Sequence, residues 1–155
     1  MARKVHNLDE TNLKIIRLLL QDGRRSIKDI AERINLSPTP CLRRVSLLEQ
    51  GGVIERYKVV VDPVKLGYSI HAYLSIKRLR ESDLNTLSAQ LREIREILAC
   101  HVVSGEYDLI VEVIAIDMEH YASIILDRIS RIPGVHDLRS TFAIRTLKRE
   151  GAIPV

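Results

Sequence analysis

Hydrogen-bonding side chains recur along Leu36–Leu48, which reads LSPTPCLRRVSLL. Pro38 and Pro40 fit the first turn of a helix, where a missing backbone N–H costs little. Ser37 precedes that turn and is predicted to cap it, because a serine hydroxyl can accept a hydrogen bond from an unpaired backbone N–H. The segment is therefore predicted to be a short helix with a stiff entry.

The predicted helix has two distinct faces on a period of 3.6 residues. The inner face carries Cys41, Leu42, Val45 and Leu48. The outer face carries Thr39, Arg43, Arg44 and Ser46. Hydroxyls and guanidinium groups can bond base edges and phosphates in the major groove of DNA. A solvated surface explains the same face, so its neighbours must decide between the two.

A second polar cluster reads SGEYD at residues 104–108. Gly105 leaves backbone groups accessible to a bound carboxylate or ammonium, and Asp108 can accept from an ammonium. A β-turn with polar tips explains the cluster equally well.

Catalytic and metal-binding patterns are not recognised elsewhere. Cys100, His101 and His120 have no zinc-ligand spacing, and adjacent residues of a strand point to opposite faces. Ser104, Glu106 and Asp108 lack a nucleophile-elbow context. We therefore expect no catalytic residues, no metal and no cofactor.

Three short helices are predicted in the N-terminal part. Asp9 caps the first, which Gly23 ends as a left-handed residue, and Ser26 caps the second. The turn between the second and third helices has helix-turn-helix spacing. Arg24 and Arg25 precede the second helix, where they can reach phosphates or form a solvated turn.

Domain limits follow from composition. Residues 1–52 form the predicted helix-turn-helix domain. Residues 53–68 form a strand linker, because Val53–Asp62 has strand composition and Pro63 and Gly67 follow it. Residues 69–155 form the second domain.

The second domain is predicted to have the order β-α-β-β-α-β between Ser69 and Lys148. Apolar and polar residues alternate from Ile70 to Lys77 in its first strand, and Ser82 is available to cap its first helix. Asp117 opens its second helix, and Leu138–Leu147 is predicted to form its last strand. This order folds into an antiparallel ferredoxin-like sandwich with both helices on one face, so the fold class is α+β. The other sheet face, with Tyr73, Val103 or Ile110 depending on strand phase, is expected to be apolar and lacks a cover. A homodimer would supply one.

The net charge of +4 is unevenly distributed. Residues 1–62 hold 12 Lys and Arg against 8 Asp and Glu, whereas residues 63–155 hold 12 against 12. The excess favours a nucleic-acid-facing N-terminal part. Two cysteines, no signal peptide and no long apolar run predict a cytoplasmic protein outside the membrane. The single Phe and absent Trp argue against a single-strand stacking platform.

The chain resembles the Lrp/AsnC, or feast/famine, transcription regulators from Leu8 to Lys148. The motifs that carry the resemblance are Leu8-Asp9, the apolar stretch 15–20, Asp22-Gly23-Arg24, LSPTPCLRRV at 36–45, Leu48-Glu49, Gly52-Val53-Ile54 and VSGEYD at 103–108. The segment 36–45 is most similar to the leucine-responsive branch.

The resemblance implies a helix-turn-helix and a sensing domain that dimerises and often assembles further, into octamers or related discs. Family effectors are typically amino acids bound where dimers meet. Carried over by position, the effector loop is Ser104, Gly105, Glu106, Tyr107 and Asp108. Weaker candidates are Asp117, Met118, Thr141 and Phe142.

We therefore expect a regulator that binds palindromic duplex DNA and responds to an amino acid. The residues expected to face bases or flanking phosphates are Ser37, Pro38, Thr39, Arg43 and Ser46. Further phosphate contacts are expected from Arg24, Arg25, Arg44 and Lys58. One alternative is a stand-alone amino-acid-binding or architectural protein that compacts DNA without sequence specificity. Another, less consistent with the residues present, is an enzyme built on the ferredoxin-like domain.

Overall fold

The computed structural model of the protein describes residues 8–147. Its described residues form two compact units, one ending at Val60 and the other running from Val61 to Leu147. The boundary lies inside the predicted linker 53–68. The outer parts of the two predicted domains, residues 1–7 and 148–155, lie outside the described residues.

The N-terminal unit contains helices α1 (Glu10–Gln21), α2 (Ile27–Arg33) and α3 (Pro38–Gln50). Four residues connect α2 to α3, and Asn35 turns the chain there with a φ of 55°, which asparagine tolerates better than most residues. The buried side chains that hold the helices together are Ile15, Ile30, Ala31, Cys41, Val45 and Leu48. The predicted helix-turn-helix arrangement is confirmed.

The end of α1 differs from the prediction, because Gly23 does not have a positive φ. Instead Asp22 is extended, and its N–H donates to the Leu18 carbonyl. The Asp22 carboxylate accepts from the Arg24 N–H at 2.9 Å. A local aspartate turn therefore ends the helix without a left-handed glycine.

The predicted strand at Val53–Asp62 is wrong, since no strand lies between α3 and Ile70 in the described residues. The N–H groups of Val53 and Ile54 both donate to the Leu48 carbonyl, at 2.9 and 3.0 Å. Their side chains pack on the helical core. Strand composition is insufficient here because no neighbouring strand of this chain pairs with the segment.

The second unit begins with a short 3₁₀ turn, Val64–Leu66, and then follows the predicted order. Its strands are β1 (Ile70–Arg78), β2 (Ile97–Val102), β3 (Leu109–Ala115) and β4 (Val135–Phe142). Its helices are α4 (Leu84–Arg92) and α5 (Met118–Ser123), the latter continuing as a π-helical turn over Ile124–Ile129.

The four strands form one antiparallel sheet in the order β2-β3-β1-β4. On β1 and β3 the residues facing the helices alternate with outward residues, with Leu74 opposite Val111 and Ile76 opposite Leu109. Leu87 and Leu91 of α4 and Ile124 after α5 are buried in the same core. Both helices therefore cover one face, which confirms the ferredoxin-like sandwich.

Local contacts move two predicted limits in this unit. Asp83, rather than the predicted Ser82, caps α4, because its carboxylate accepts from the N–H groups of Asn85 and Thr86. Strand β4 ends at Phe142 instead of Leu147. The next N–H, that of Ala143, still donates to the His71 carbonyl of β1 at 2.9 Å.

The uncovered sheet face is more polar than expected. Tyr73 is 41% exposed and Ile110 is 36% exposed on this face. Beside them His71 Nε2 lies 2.8 Å from Glu112 Oε1, and the His71 and Tyr73 rings are 5.2 Å apart. Hydrogen-bonding groups thus occupy much of the surface predicted to be apolar.

Candidate DNA interface and effector loop

The entry to α3 is unusual among the helices of this protein. Ser37 is at the N-cap position, yet its side chain makes no capping hydrogen bond, contrary to the prediction. The cap residues of the other four α-helices, Asp9, Ser26, Asp83 and Asp117, each accept from the N–H of the third helical residue. In α3 that position is Pro40, which has no N–H to donate.

The remainder of α3 follows the predicted amphipathic pattern with one exception. Cys41, Val45 and Leu48 are buried, while Thr39 and Arg43 are exposed and Ser46 is half-buried. Leu42 was predicted on the inner face but is 52% exposed. It lies about 100° around the helix from Cys41, outside the arc that α1 and α2 cover.

Arg44 is held inside the N-terminal unit. Its NH1 group donates to Asp9 Oδ2 at 2.6 Å and to Asn12 Oδ1 at 3.0 Å. The pKa of Asp9 is lowered, first by the backbone N–H of Asn12 and then by the Arg44 guanidinium. Arg44 therefore joins α3 to the start of α1. The sequence predicted a phosphate contact for Arg44 and gave no sign of this structural role.

Of the adjacent Arg24 and Arg25, one is bonded within the protein and the other is exposed. Arg25 NH1 donates to Asp29 Oδ2 at 2.5 Å, and its Nε is buried without a hydrogen-bond partner among the described residues. Arg25 and then Arg33 lower the pKa of Asp29 by hydrogen bonding. Arg24 is exposed. Of this predicted pair, only Arg24 projects its charge into solvent.

The remaining predicted phosphate ligand is Lys58, which is exposed in the irregular segment after α3. Pro38 is likewise exposed, at the first position of α3.

The loop Ser104–Asp108 connects β2 to β3 and is tied to β1. The Val103 N–H donates to the Asp108 carbonyl at 2.9 Å, and the Asp108 N–H donates to the Ile76 carbonyl at 3.0 Å. Gly105 has a φ of 139°, a conformation that side-chain-bearing residues rarely adopt. Between these two ties, the loop projects from the end of the sheet.

The Asp108 carboxylate is engaged by Arg78 at the end of β1. Oδ2 accepts from the Arg78 backbone N–H at 2.9 Å, and Oδ1 lies 3.7 Å from the Arg78 Nε. The same guanidinium donates to the Ser82 carbonyl at 2.8 Å. Arg78 was not predicted, because its partner is 30 residues away and no local pattern marks it.

The other loop side chains are more open. Ser104 and Glu106 are exposed. Tyr107 is half-buried and its hydroxyl lies 3.5 Å from Asp137 Oδ2. Glu106 therefore supplies the accessible carboxylate of the loop, whereas the carboxylate of Asp108 is already bonded.

The four weaker effector candidates do not join this loop within one chain. Asp117 follows the far end of β3, which at seven residues is roughly 23 Å long. It caps α5 by accepting from the His120 N–H at 2.7 Å, and Met118 beside it is 53% exposed.

Thr141 and Phe142 pair with the beginning of β1, whereas the loop is tied to its end. Thr141 lies opposite the outward-facing Tyr73. The Phe142 ring instead packs edge-on against Tyr121 of α5, with centroids 5.0 Å apart. Adjacent strand residues point to opposite faces, so the two side chains cannot line one site of a single chain.

Within residues 8–147, no three His, Cys, Asp or Glu side chains form a group that could hold a metal ion. Over the same range, no helix combines the length and apolar character that crossing a membrane requires.

Comparison with protein families gives two matches that together span most of the chain. Residues 8–55 match a winged helix-turn-helix DNA-binding family. Residues 71–153 match the family described as the Lrp/AsnC ligand binding domain.

Full-length relatives are also similar. The proline dehydrogenase transcriptional activator of Rhizobium radiobacter is 31% identical, covering 97% of each chain. The leucine-responsive regulatory protein of Escherichia coli K12 is 32% identical, covering 96% of this chain and 92% of the relative.

Solved structures agree with this similarity. A transcriptional regulator from Neisseria meningitidis, solved in complex with L-Met, has a TM-score of 0.90 and 30% identity, covering 95% of this chain and 96% of that one. The feast or famine regulatory protein of M. tuberculosis, complexed with L-methionine, has a TM-score of 0.87 and 29% identity, covering 95% and 99%.

Proposed function

The chain belongs to the Lrp/AsnC family of transcriptional regulators, and from this we propose that an amino acid bound by its C-terminal domain controls its binding to specific DNA sites. It is a DNA-binding transcriptional regulator and not an enzyme.

For DNA we propose α3 as the reading helix, with Thr39, Arg43 and Ser46 facing bases. Arg43 is exposed and forms no ion pair within the described residues, whereas the neighbouring Arg44 is bonded to α1. A free guanidinium can bond guanine O6 and N7 together, the commonest specific contact to a base. This difference between adjacent arginines supports Arg43 as the base contact.

Phosphate contacts are proposed for Ser37, Arg24 and Lys58. The Ser37 hydroxyl has no capping bond, so it is available to a phosphate oxygen. Pro38 is proposed to stiffen this entry beside the DNA. Arg25 and Arg44 contribute positive charge, but their intramolecular bonds make them weaker candidates for direct contacts.

For the effector we propose an amino acid at the loop Ser104–Asp108. This proposal is supported by polar groups of the loop that are left accessible to a ligand. In the described part of the chain, the N–H groups of residues 104–107 donate to no backbone carbonyl, and the Glu106 carboxylate is exposed beside them. Unpaired N–H groups can bind a carboxylate, and a carboxylate can bind an ammonium.

Two structurally similar regulators were solved in complex with L-methionine, whose carboxylate and ammonium are the groups that this loop could bind. Neither complex identifies the side chain of the amino acid that this protein binds. Asp117, Met118, Thr141 and Phe142 would have to reach the same amino acid from a neighbouring copy, because they lie at the other end of the sheet from the loop.

A homodimer that covers the outer sheet face is proposed, with assembly to an octamer or similar. Tyr73 and Ile110 on that face are partly exposed large side chains that a second copy would bury. Two reading helices in a dimer would match two half-sites of a palindrome.

A thermal-shift screen of the twenty amino acids tests the effector. A ligand at 100 times its Kd adds about 2.7 kcal/mol to the folded state, which for a domain of this size raises Tm by roughly 10 °C or more. Glu106→Gln is the matched variant and should lose most of that shift. If no amino acid raises Tm, the effector proposal is overturned.

Footprinting on DNA sites recovered from a randomised pool tests the DNA proposal. Protection confined to defined sites, altered by the amino acid found in the screen, is expected. Uniform protection along the duplex would instead indicate an architectural protein.

A further inference from the structure

Four residues of α3 form a continuous outward stripe at spacing i, i+3, i+4 and i+7. They are Thr39, Leu42, Arg43 and Ser46. Residues with this spacing share one face of a helix. Three are polar, and the fourth is a leucine with 52% of its surface exposed.

Among the described residues, Leu42 is not part of the hydrophobic core of the N-terminal unit. The inner positions of α3 are filled by Cys41, Val45 and Leu48, each at most 4% exposed. Leu42 lies about 100° around the helix from Cys41, next to Arg43 and one turn from Thr39 and Ser46. Its aliphatic surface is therefore presented together with the polar groups proposed to read DNA.

The major groove offers few partners for such a side chain. Its base edges carry donors and acceptors, and their apolar group is the C5-methyl of thymine. Leu42 is the fifth residue of α3, and helix-turn-helix proteins contact bases with the N-terminal part of this helix. Arg43 beside it supplies the positive charge that favours duplex DNA.

We propose that Leu42 is a specificity-determining residue that packs on the C5-methyl group of a thymine in the DNA site. The proposal rests on α3 being the reading helix. It adds an apolar contact to the hydrogen bonds proposed above, and it predicts a preference for thymine over any base pair without this methyl group.

Replacing thymine by deoxyuridine tests the contact, since this removes the methyl group and leaves every hydrogen-bonding group in place. The full-length protein is bound to a site recovered from a randomised pool, and each thymine is replaced in turn. At the thymine that Leu42 contacts, deoxyuridine should lower the affinity of the wild-type protein about fourfold, which corresponds to the free energy of burying one methyl group. Leu42→Ala should bind the thymine site more weakly and lose this difference.

Leu47→Ala is the matched control. Leu47 is 55% exposed on the same helix, but it is the tenth residue of α3, beyond the N-terminal residues that contact base edges in helix-turn-helix proteins. This variant should keep the fourfold difference between thymine and deoxyuridine. Leu42→Met keeps an apolar side chain of similar volume and should retain part of the difference, which separates loss of contact from misfolding.

The outcomes separate the two proposals. A defined site whose methyl dependence is unchanged in Leu42→Ala overturns the role of Leu42 alone. Absence of any thymine at which wild type responds to deoxyuridine does the same. Failure of wild type to select any site overturns α3 as a sequence reader, and the role of Leu42 with it.

Discussion

The Asp108 carboxylate accepts a hydrogen bond from the backbone N–H of Arg78 at 2.9 Å and faces the guanidinium of the same residue. Arg78 ends β1, and Asp108 ends the loop before β3. The Asp108 side chain thus holds the C-terminal end of the loop against β1. The Glu106 carboxylate and the N–H groups of residues 104–107 are left for a ligand.

We expect Asp108→Ala to weaken amino-acid binding while DNA binding without effector is kept. The loop loses its bond to β1, at a stability cost of about 1 kcal/mol, because the pair is partly exposed. Asp108→Asn retains an acceptor and should lose less. Titration calorimetry measures the affinity, and unchanged binding by Asp108→Ala would contradict this role.

Arg43→Ala should weaken specific DNA binding by about 1–3 kcal/mol and relax the preference at one base pair. Arg24→Ala should weaken binding to all sequences equally and lower the salt slope by about 1. Selection from a randomised pool measures the first effect and salt titration the second.

Arg44→Ala serves as the control for Arg43, since it is adjacent but bonded to Asp9 and Asn12. It should lower the Tm of the N-terminal unit and leave the base preference unchanged. A relaxed preference in Arg44→Ala, with Arg43→Ala unaffected, would reverse the assignment of the two residues.

Tyr57 should titrate late. Burial, and then its hydrogen bond to Glu49 at 2.9 Å, raise the pKa of Tyr57 to about 12. The neutral phenol is the bonded form, so its contribution to stability is complete below the unfolded pKa of about 10 and is lost as pH rises through 12.

Ultraviolet titration measures this step. Tyr57→Phe should remove a transition near pH 12, and Glu49→Gln should lower its midpoint towards 10. The difference in urea midpoint between wild type and Tyr57→Phe should shrink between pH 10 and 12. A difference that is constant over this range would exclude the Glu49 bond as its source.

Gly134→Ala should destabilise the second unit by about 2–4 kcal/mol. An added Cβ would lie 2.4 Å from the Cβ of Ser82, and the φ of 96° is strained for alanine. Ser82→Gly in the same chain removes the close contact but not the strain, so it should recover only part of the loss. Urea unfolding measures both variants against Ser82→Gly alone.

Local patterns predicted most of the fold. The alternation along Ile70–Arg78 and the caps at Asp9, Ser26 and Asp117 are properties of neighbouring residues, and the structure agrees with them. Three local predictions were wrong, namely the Ser37 cap, the Ser82 cap and the left-handed Gly23. Predictions that needed a distant partner also failed. Val53–Asp62 has strand composition, but within residues 8–147 no strand pairs with it.

The candidate DNA interface and effector loop show the same limit. Residue spacing was enough to predict the helix-turn-helix, the β-α-β-β-α-β order, and the segments that resemble the Lrp/AsnC family, because these depend on spacing along the chain. The three-dimensional contacts were needed to show that Arg44 is bonded and Arg43 is open. They were also needed to show that Leu42 is exposed and that Arg78 holds Asp108. Two arginines of the same chemistry, Arg43 and Arg44, differ in role because only Arg44 meets a partner from α1, which lies 35 residues away along the chain. The partner of Asp108, Arg78, is 30 residues away. Residue spacing along the sequence does not reveal which residues so far apart come into contact.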